Sequence, residues 1–159
     1  MDSLFFSEEH IMIQNMVREF AESEVAPIAQ ALDKNETFPS EIVTKMGELG
    51  MMGIVVPEEY GGAGLDMIAF VTAIIELGRV DASVAITMTA HTSLGTLPLL
   101  QLGNEEQKQA YLPQLASGKM LGAFGLTEPS AGSDAGATKT TAIRDGDSYI
   151  VNGGKIFTK

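Results

Sequence analysis

A mainly α-helical fold, an N-terminal helical bundle followed by the first strands of a β domain, is what this sequence predicts. Three observations predict it. Apolar residues recur at spacings of three and four over most of the first 119 residues, the period of an amphipathic helix. Capping residues and glycines cut that pattern into segments of ordinary helical length. After Lys119 the helical spacing gives way to short β-prone runs around Asp145-Gly146 and Asn152-Gly153, each a hairpin signal. The expected division is a helical domain over 1–119 and the start of a β domain over 120–159.

From Ser7 onward, Ile11, Val17, Phe20, Ala21 and Val25 share a helical face, with Glu8 and Glu9 in the first turn where the helix dipole favours carboxylates. Pro27 is expected to limit its regular extent. A second helix starts near Ser40, carries Ile42, Val43, Met46 and Leu49, and is weakened and closed by Gly47 and Gly50. MGIVVPEEYGGAG then reads as a brief extended apolar piece and a glycine loop. Asp66 caps MIAFVTAIIEL, which Gly78 ends. Asp81 caps a stretch, VAITMTAHTSLGTLPLLQL, that has no polar face and reads as a helix buried on most sides, kinked or split at Pro98. Asn104 and Gln107 resemble a capping box for EEQKQAYLPQL, with Gly118 near its stop. Thr138 to Arg144 and Ser148 to Val151 read as strands flanking Asp145-Gly146, and Lys155 to Thr158 as another, so a β meander is expected to begin and to stop after one or two hairpins.

Composition narrows the function classes. The chain has 159 residues, 45% of them hydrophobic and 19% charged, which suits one domain and the start of another. Its 21 acids against 10 bases give a formal charge of −11, a surface that repels phosphate backbones, so nucleic acid is not an expected partner. No apolar run approaches the roughly 20 residues of a membrane span, and the first residues, MDSLFFSEEH, lack a signal peptide's basic start and apolar centre. A cytoplasmic location is the expectation. Without cysteine there is no disulfide and no thiolate ligand, and His10 and His91 alone make no metal site. His91, in an apolar helix, reads as a satisfied core residue. VVPEEYGGAGLD imitates a dinucleotide loop but has Met67 where the third small residue is required. Met46, Met51, Met52, Met67 and Met88 read as flexible core filling, with contacts between helices or subunits as the other place for them. Glu58 and Glu59 read as an exposed turn and Glu76 as a solvated residue at a helix end.

The segment GLTEPSAGSDAGA, Gly125 to Ala137, asks for a separate explanation. Gly125, Gly132 and Gly136 can leave main-chain N–H groups pointing outward, and Thr127, Ser130 and Ser133 add hydroxyls, all without a lysine or arginine. Local physics fits a loop joining two domains as well as a loop that binds an anion or a polar ring edge.

LGAFGLTEPSAGSDAGA resembles the signature of the acyl-CoA dehydrogenase family, with Gly125-Leu126-Thr127-Glu128, Ala131-Gly132-Ser133-Asp134 and Ala137 at its constrained positions. The segments Phe38 to Asp66, His91 to Lys119 and Asp145 to Phe157 resemble further blocks, in family order. The resemblance implies an N-terminal helical domain and the opening of a middle β-barrel domain, with the C-terminal helical bundle absent from this chain. It implies FAD, with Phe124, Gly125, Leu126 and Thr127 along the isoalloxazine ring and Gly132 and Ser133 toward the pyrophosphate. Ser133 is also implied as a contact of the acyl-CoA substrate. The family's second flavin strand reads Lys, apolar, aromatic, apolar, Thr, Asn; Lys155, Ile156 and Phe157 match it, while Thr158 arrives one residue early. The implied activity is α,β-dehydrogenation of acyl-CoA thioesters in fatty acid metabolism, by a homotetramer that passes electrons to an electron-transferring flavoprotein. The family's glutamate base lies beyond Lys159, so no catalytic residue is assigned, this chain alone is expected to be inactive, and Glu128 is expected to hold its loop by accepting hydrogen bonds. Two other readings stand beside this one: an acyl-CoA oxidase relative, and a non-catalytic helical fragment that self-associates or binds a partner.

Overall fold

The computed structural model describes residues 6–157, and its first helix starts where the sequence supplies a cap. In α1 (Glu8–Phe20) the Ser7 hydroxyl accepts the His10 N–H at 3.2 Å while His10 Nδ1 accepts the Ser7 N–H at 3.0 Å, a capping box with histidine in the position usual for glutamate. Its Nε2 then donates to Asp66 at 2.9 Å. Asp66 itself caps α4 (Met67–Gly78) by accepting the N–H groups of Ile68 and Ala69. One contact thus ties the starts of two helices.

Pro27 does not end the first helix. Residues Ala21–Val25 form a π turn in which the Ala26 N–H reaches back five residues to Ala21 O, and the chain continues as α2 (Ala26–Lys34) with Pro27 in its first turn. The extra residue in that turn relieves the clash of the ring with the preceding turn, and a proline lacks nothing in a helix's first turn. Pro98 uses the same device. After α5 (Ala82–Ala90), capped by Asp81, a π turn spans His91–Thr96, Leu97 N–H bonds Thr92 O, and α6 (Leu97–Leu102) follows. The expected kink or split is a widened turn.

α3 (Ser40–Glu48) gives way to Gly50 at φ 76°, a left-handed position that favours glycine. The expected extended piece after it is absent. Met51–Gly53 and Glu58–Tyr60 are 3₁₀ turns, and Ala63, Gly64 and Leu65 donate back to Gly53, Val56 and Ile54, so the glycine loop closes on the preceding turn. The run is apolar on every side because Met51, Met52, Ile54 and Val56 are all buried, which removes the periodicity that would separate a turn from a strand. α7 (Glu105–Ala116) carries the capping box of Asn104 and Gln107, with reciprocal bonds of 2.8 and 2.9 Å. Glu58 and Glu59 are exposed.

The main core joins Val17 and Phe20 of α1, Ile42 and Met46 of α3, Met52 and Ile54, Phe70, Ala73 and Leu77 of α4, and Val84 and Met88 of α5. A second cluster packs Val56 and Tyr60 on Leu112, Leu115 and Ala116 of α7. Two expectations fail here. Met67, at the first position of α4, is 49% exposed, so of its two readings core filling fails. Glu76 is only 2% exposed, because the helix end that looked solvated in sequence lies against α1. Arg18 Nη2 and Nε donate to it at 2.7 and 3.0 Å, Arg79 Nη1 at 2.6 Å and Gln14 Nε2 at 3.0 Å.

The chain divides into two units, one ending at Gly122 and one starting at Ala123. In the second unit β1 (Thr141–Asp145) pairs antiparallel with β2 (Ser148–Asn152), from Thr141 opposite Asn152 to Asp145 opposite Ser148. Gly146, at φ 62°, and Asp147 make the turn, one residue later than expected. Over the described part of the strand expected at Lys155 to Thr158 no pairing occurs: Lys155 and Ile156 lie outside any sheet and Phe157 bends at φ 53°. Thr158 lies outside the described residues. Among the described residues, no helix is long and apolar enough to cross a membrane.

Candidate functional site

Glu128 organises the second unit. Its backbone exchanges two hydrogen bonds with Ala131, at 2.9 and 3.1 Å, closing a tight turn with Pro129 in the second position, where its fixed φ suits the turn. Its carboxylate, 5% exposed, accepts the Lys139 N–H at 2.6 Å, the Thr140 N–H at 3.0 Å, the Thr140 hydroxyl at 2.6 Å and Lys155 Nζ at 2.8 Å. The Lys139 N–H leads, followed by the Lys155 ammonium and the Thr140 hydroxyl, in lowering its pKa to about 2. An ionised carboxylate with four donors has no room for a further proton, so Glu128 is a structural acceptor and not a base.

Around it the loop is tied to two later segments. Lys155 Nζ also donates to Leu126 O at 3.0 Å, and the Ile156 N–H donates to Thr127 O at 2.9 Å. Gly153 permits this closure: a Cβ there would overlap the Thr140 hydroxyl that serves Glu128. The sequence signals Gly153 as a turn residue, whereas the structure uses it for close approach. Lys155 and Thr140 are the residues that sequence reasoning did not assign to the loop. Only the scarcity of bases near a buried-type glutamate hinted at the pairing, because a partner 27 residues away has no periodic signature.

The sequence-predicted residues fall into two groups. Leu126, Thr127, Lys155, Ile156 and the adjoining Phe157 are brought together by the bonds just described. Phe124 and Leu126 are exposed, Thr127 is half-buried and Phe157 is 86% exposed, so its ring is not a core side chain of this unit. Gly132 and Ser133 follow the Glu128 turn on exposed chain, and space for a Cβ at Gly132 is open. The N–H groups of Gly125, Leu126, Thr127, Gly132 and Ser133 have no acceptor among the described residues. Unpaired N–H donors, with neutral hydroxyls beside them and the Glu128 charge compensated, can receive an electron-rich polar edge. No group of three potential metal-ligating side chains occurs among the described residues.

The first unit contributes a different kind of centre. His91, 1% exposed, accepts the Gly122 N–H on Nδ1 at 2.9 Å, so Nε2 carries the proton and donates to Met52 O at 3.2 Å. Burial pushes its pKa down, which keeps the ring neutral. It is the satisfied core histidine that its apolar helix suggested. A groove of about 380 Å³ on this unit is lined by Leu32, Asp33, Glu36, Phe38, Asp81 and Val84, and contains none of the predicted site residues.

Comparison with known proteins bears on what the loop serves. Residues 7–119 match the acyl-CoA dehydrogenase N-terminal domain and residues 123–159 the acyl-CoA dehydrogenase middle domain. An acyl-CoA dehydrogenase of Bacillus subtilis is 52% identical over 151 residues, 95% of this chain and 40% of that protein. Butyryl-CoA dehydrogenase from Megasphaera elsdenii is 36% identical with a TM-score of 0.92, covering 98% of this chain and 42% of that one. An acyl-CoA dehydrogenase from Bacillus anthracis, solved in complex with FAD, is 43% identical with a TM-score of 0.90, over 97% of this chain and 27% of that one. This chain therefore spans less than half the length of the relatives it matches. On two domain matches, identity near one half and a shared fold, the chain belongs to the acyl-CoA dehydrogenase family.

Proposed function

We propose that this chain supplies the helical domain and one flavin-facing loop of an enzyme that dehydrogenates acyl-CoA thioesters between Cα and Cβ. The observation that carries the reading is the set of N–H donors without acceptors among the described residues, at Gly125 to Thr127 and at Gly132 and Ser133, on a loop held in place by Glu128 and Lys155. The residues fit FAD, since the donors are neutral and the buried Glu128 carboxylate is compensated. When bound, FAD accepts the hydride that leaves Cβ, and its reduced form carries negative charge that N–H and O–H donors stabilise. The N–H groups of Leu126 and Thr127 and the Thr127 hydroxyl orient the isoalloxazine ring, with Phe124 and Gly125 beside it. Gly132 and Ser133 hold the pyrophosphate, Ser133 contacts the thioester ligand, and Phe157 excludes water from the ring.

The Cα proton must go to a carboxylate on the opposite side of the substrate. Glu128 and Glu76 do not take that role, as both are fully engaged by donors. The two electrons leave for an electron-transferring flavoprotein, and the complete enzyme is a homotetramer. The test is the visible spectrum after mixing with FAD and gel filtration. A retained flavin band with a shifted maximum is the expected result, and Thr127→Val with Ser133→Ala should weaken retention about tenfold, one net hydrogen bond's worth. A colourless protein would overturn the reading. Slow reoxidation of the reduced flavin by oxygen separates a dehydrogenase from an oxidase.

One observation favours a second role for the helical unit. Met67, Ile68, Val71 and Ile75 leave an exposed apolar face on α4, the kind of surface on which a further copy or partner docks. Sedimentation of Val71→Asp against wild type tests it, and identical masses would exclude self-association through this face.

A further inference from the structure

Lys155 donates to two acceptors placed two residues apart in the loop, Leu126 O at 3.0 Å and Glu128 Oε1 at 2.8 Å. One residue later, the Ile156 N–H holds Thr127 O at 2.9 Å. The carbonyls on either side of the Thr127 Cα are therefore both fixed by the same short segment. A planar trans peptide carries its C=O and N–H on opposite sides. Holding Leu126 O on Lys155 thus turns the Thr127 N–H away from Lys155, and among the described residues nothing accepts it. A carbonyl that accepts from a cation also polarises its own peptide and makes its N–H the stronger donor. Glu128 keeps the ammonium in place and cancels its charge, while Lys139 and Thr140 keep Glu128 in place.

We propose that Lys155 is a positioning residue for the redox group: through the Leu126–Thr127 peptide it sets the direction and strength of the Thr127 N–H, and so how much more tightly the loop holds reduced than oxidised flavin. The inference rests on the reading above that this loop faces FAD. Because Glu128 compensates the ammonium, the effect runs through the peptide and not through an uncompensated charge. A purely structural lysine would change stability and leave the flavin's redox balance alone.

The experiment uses the full-length FAD-loaded enzyme that carries this segment, and compares wild type with Lys155→Met, Lys155→Arg and the charge-balanced pair Lys155→Met/Glu128→Gln. Flavin affinity, reduction potential and far-ultraviolet circular dichroism are read for each. In Lys155→Met and in the double variant, the preference for reduced over oxidised flavin should fall about tenfold, which is about 30 mV for a two-electron couple. Lys155→Arg, which keeps a cationic donor, should recover at least half of that shift. A wild-type potential in Lys155→Met overturns the proposal, and so does a shift that disappears in the double variant, since that would trace it to charge. Where Lys155→Met loses its fold, Lys155→Gln carries the same comparison, and a wild-type potential there overturns the proposal equally. Failure of the wild type itself to retain FAD overturns the flavin reading and the positioning role with it; normal retention with an unchanged potential overturns the positioning role alone.

Discussion

Glu76 and Glu128 have one chemistry in different settings, a carboxylate hidden from water and surrounded by donors. Arg18 leads in lowering the Glu76 pKa to about 2, with Arg79 and Gln14 adding to it against the opposing effect of burial. A carboxylate whose folded pKa lies below its ordinary value stabilises the protein fully above that ordinary value, near 4.5, and loses the contribution as pH falls toward 2. Acid titration followed by circular dichroism should therefore show a stability plateau above about pH 5 and a decline below it; stability that rises on acidification would contradict both assignments. Glu76→Ala should cost about 2–3 kcal/mol, the scale of hydrogen bonds to a charged group. The lower part of that range is expected because Arg18 and Arg79 are exposed enough to rehydrate. Urea denaturation measures it.

Among the elements, caps were legible and widened turns were not. Asp66, Asp81 and the Asn104–Gln107 box act over two or three residues, so their chemistry is written locally and the structure uses each as expected. Asp66→Ala should lower stability by about 1 kcal/mol for the lost cap, and somewhat more because His10 loses its acceptor. A falling urea midpoint with an unchanged m-value checks it. A proline removes a bond and clashes with the preceding turn, so from sequence Pro27 is expected to limit the regular extent of its helix and Pro98 to kink or split the later one. Each follows a residue that bonds five positions back, and that widened turn lets the helix run on. Pro27→Ala is expected to change stability by less than about 1 kcal/mol, as lost chain rigidity is offset by a regained N–H; thermal unfolding tests it, and a larger loss would mean that the π turn depends on the ring.

At the scale of the whole molecule, stability is uneven by construction. The helical unit buries a continuous core from Val17 to Met88, whereas every residue of β1 and β2 is exposed, and a two-stranded hairpin is marginal without cover. Hydrogen exchange should find the amides of α1 and α4 protected by orders of magnitude over those of Ile143 and Ile150; equal protection would refute the contrast. The same contrast explains what could be read from the chain. Sequence by itself determined the helical class, the caps and the Asp145-Gly146 hairpin region, because helical period, capping and turn chemistry act between residues a few positions apart; the signature loop with Glu128 as its holder was legible only through the family resemblance. Tertiary structure alone decided that Glu76 is buried under Arg18, that Met67 faces outward, that residues 51–60 coil into 3₁₀ turns, and that Lys155 leaves strand pairing to hold Leu126 and Glu128. The burial of Glu76 and the hold of Lys155 depend on partners brought together from distant positions, 58 residues apart for Arg18 and Glu76 and 27 for Lys155 and Glu128, and free energy of that origin has no period or spacing to reveal it.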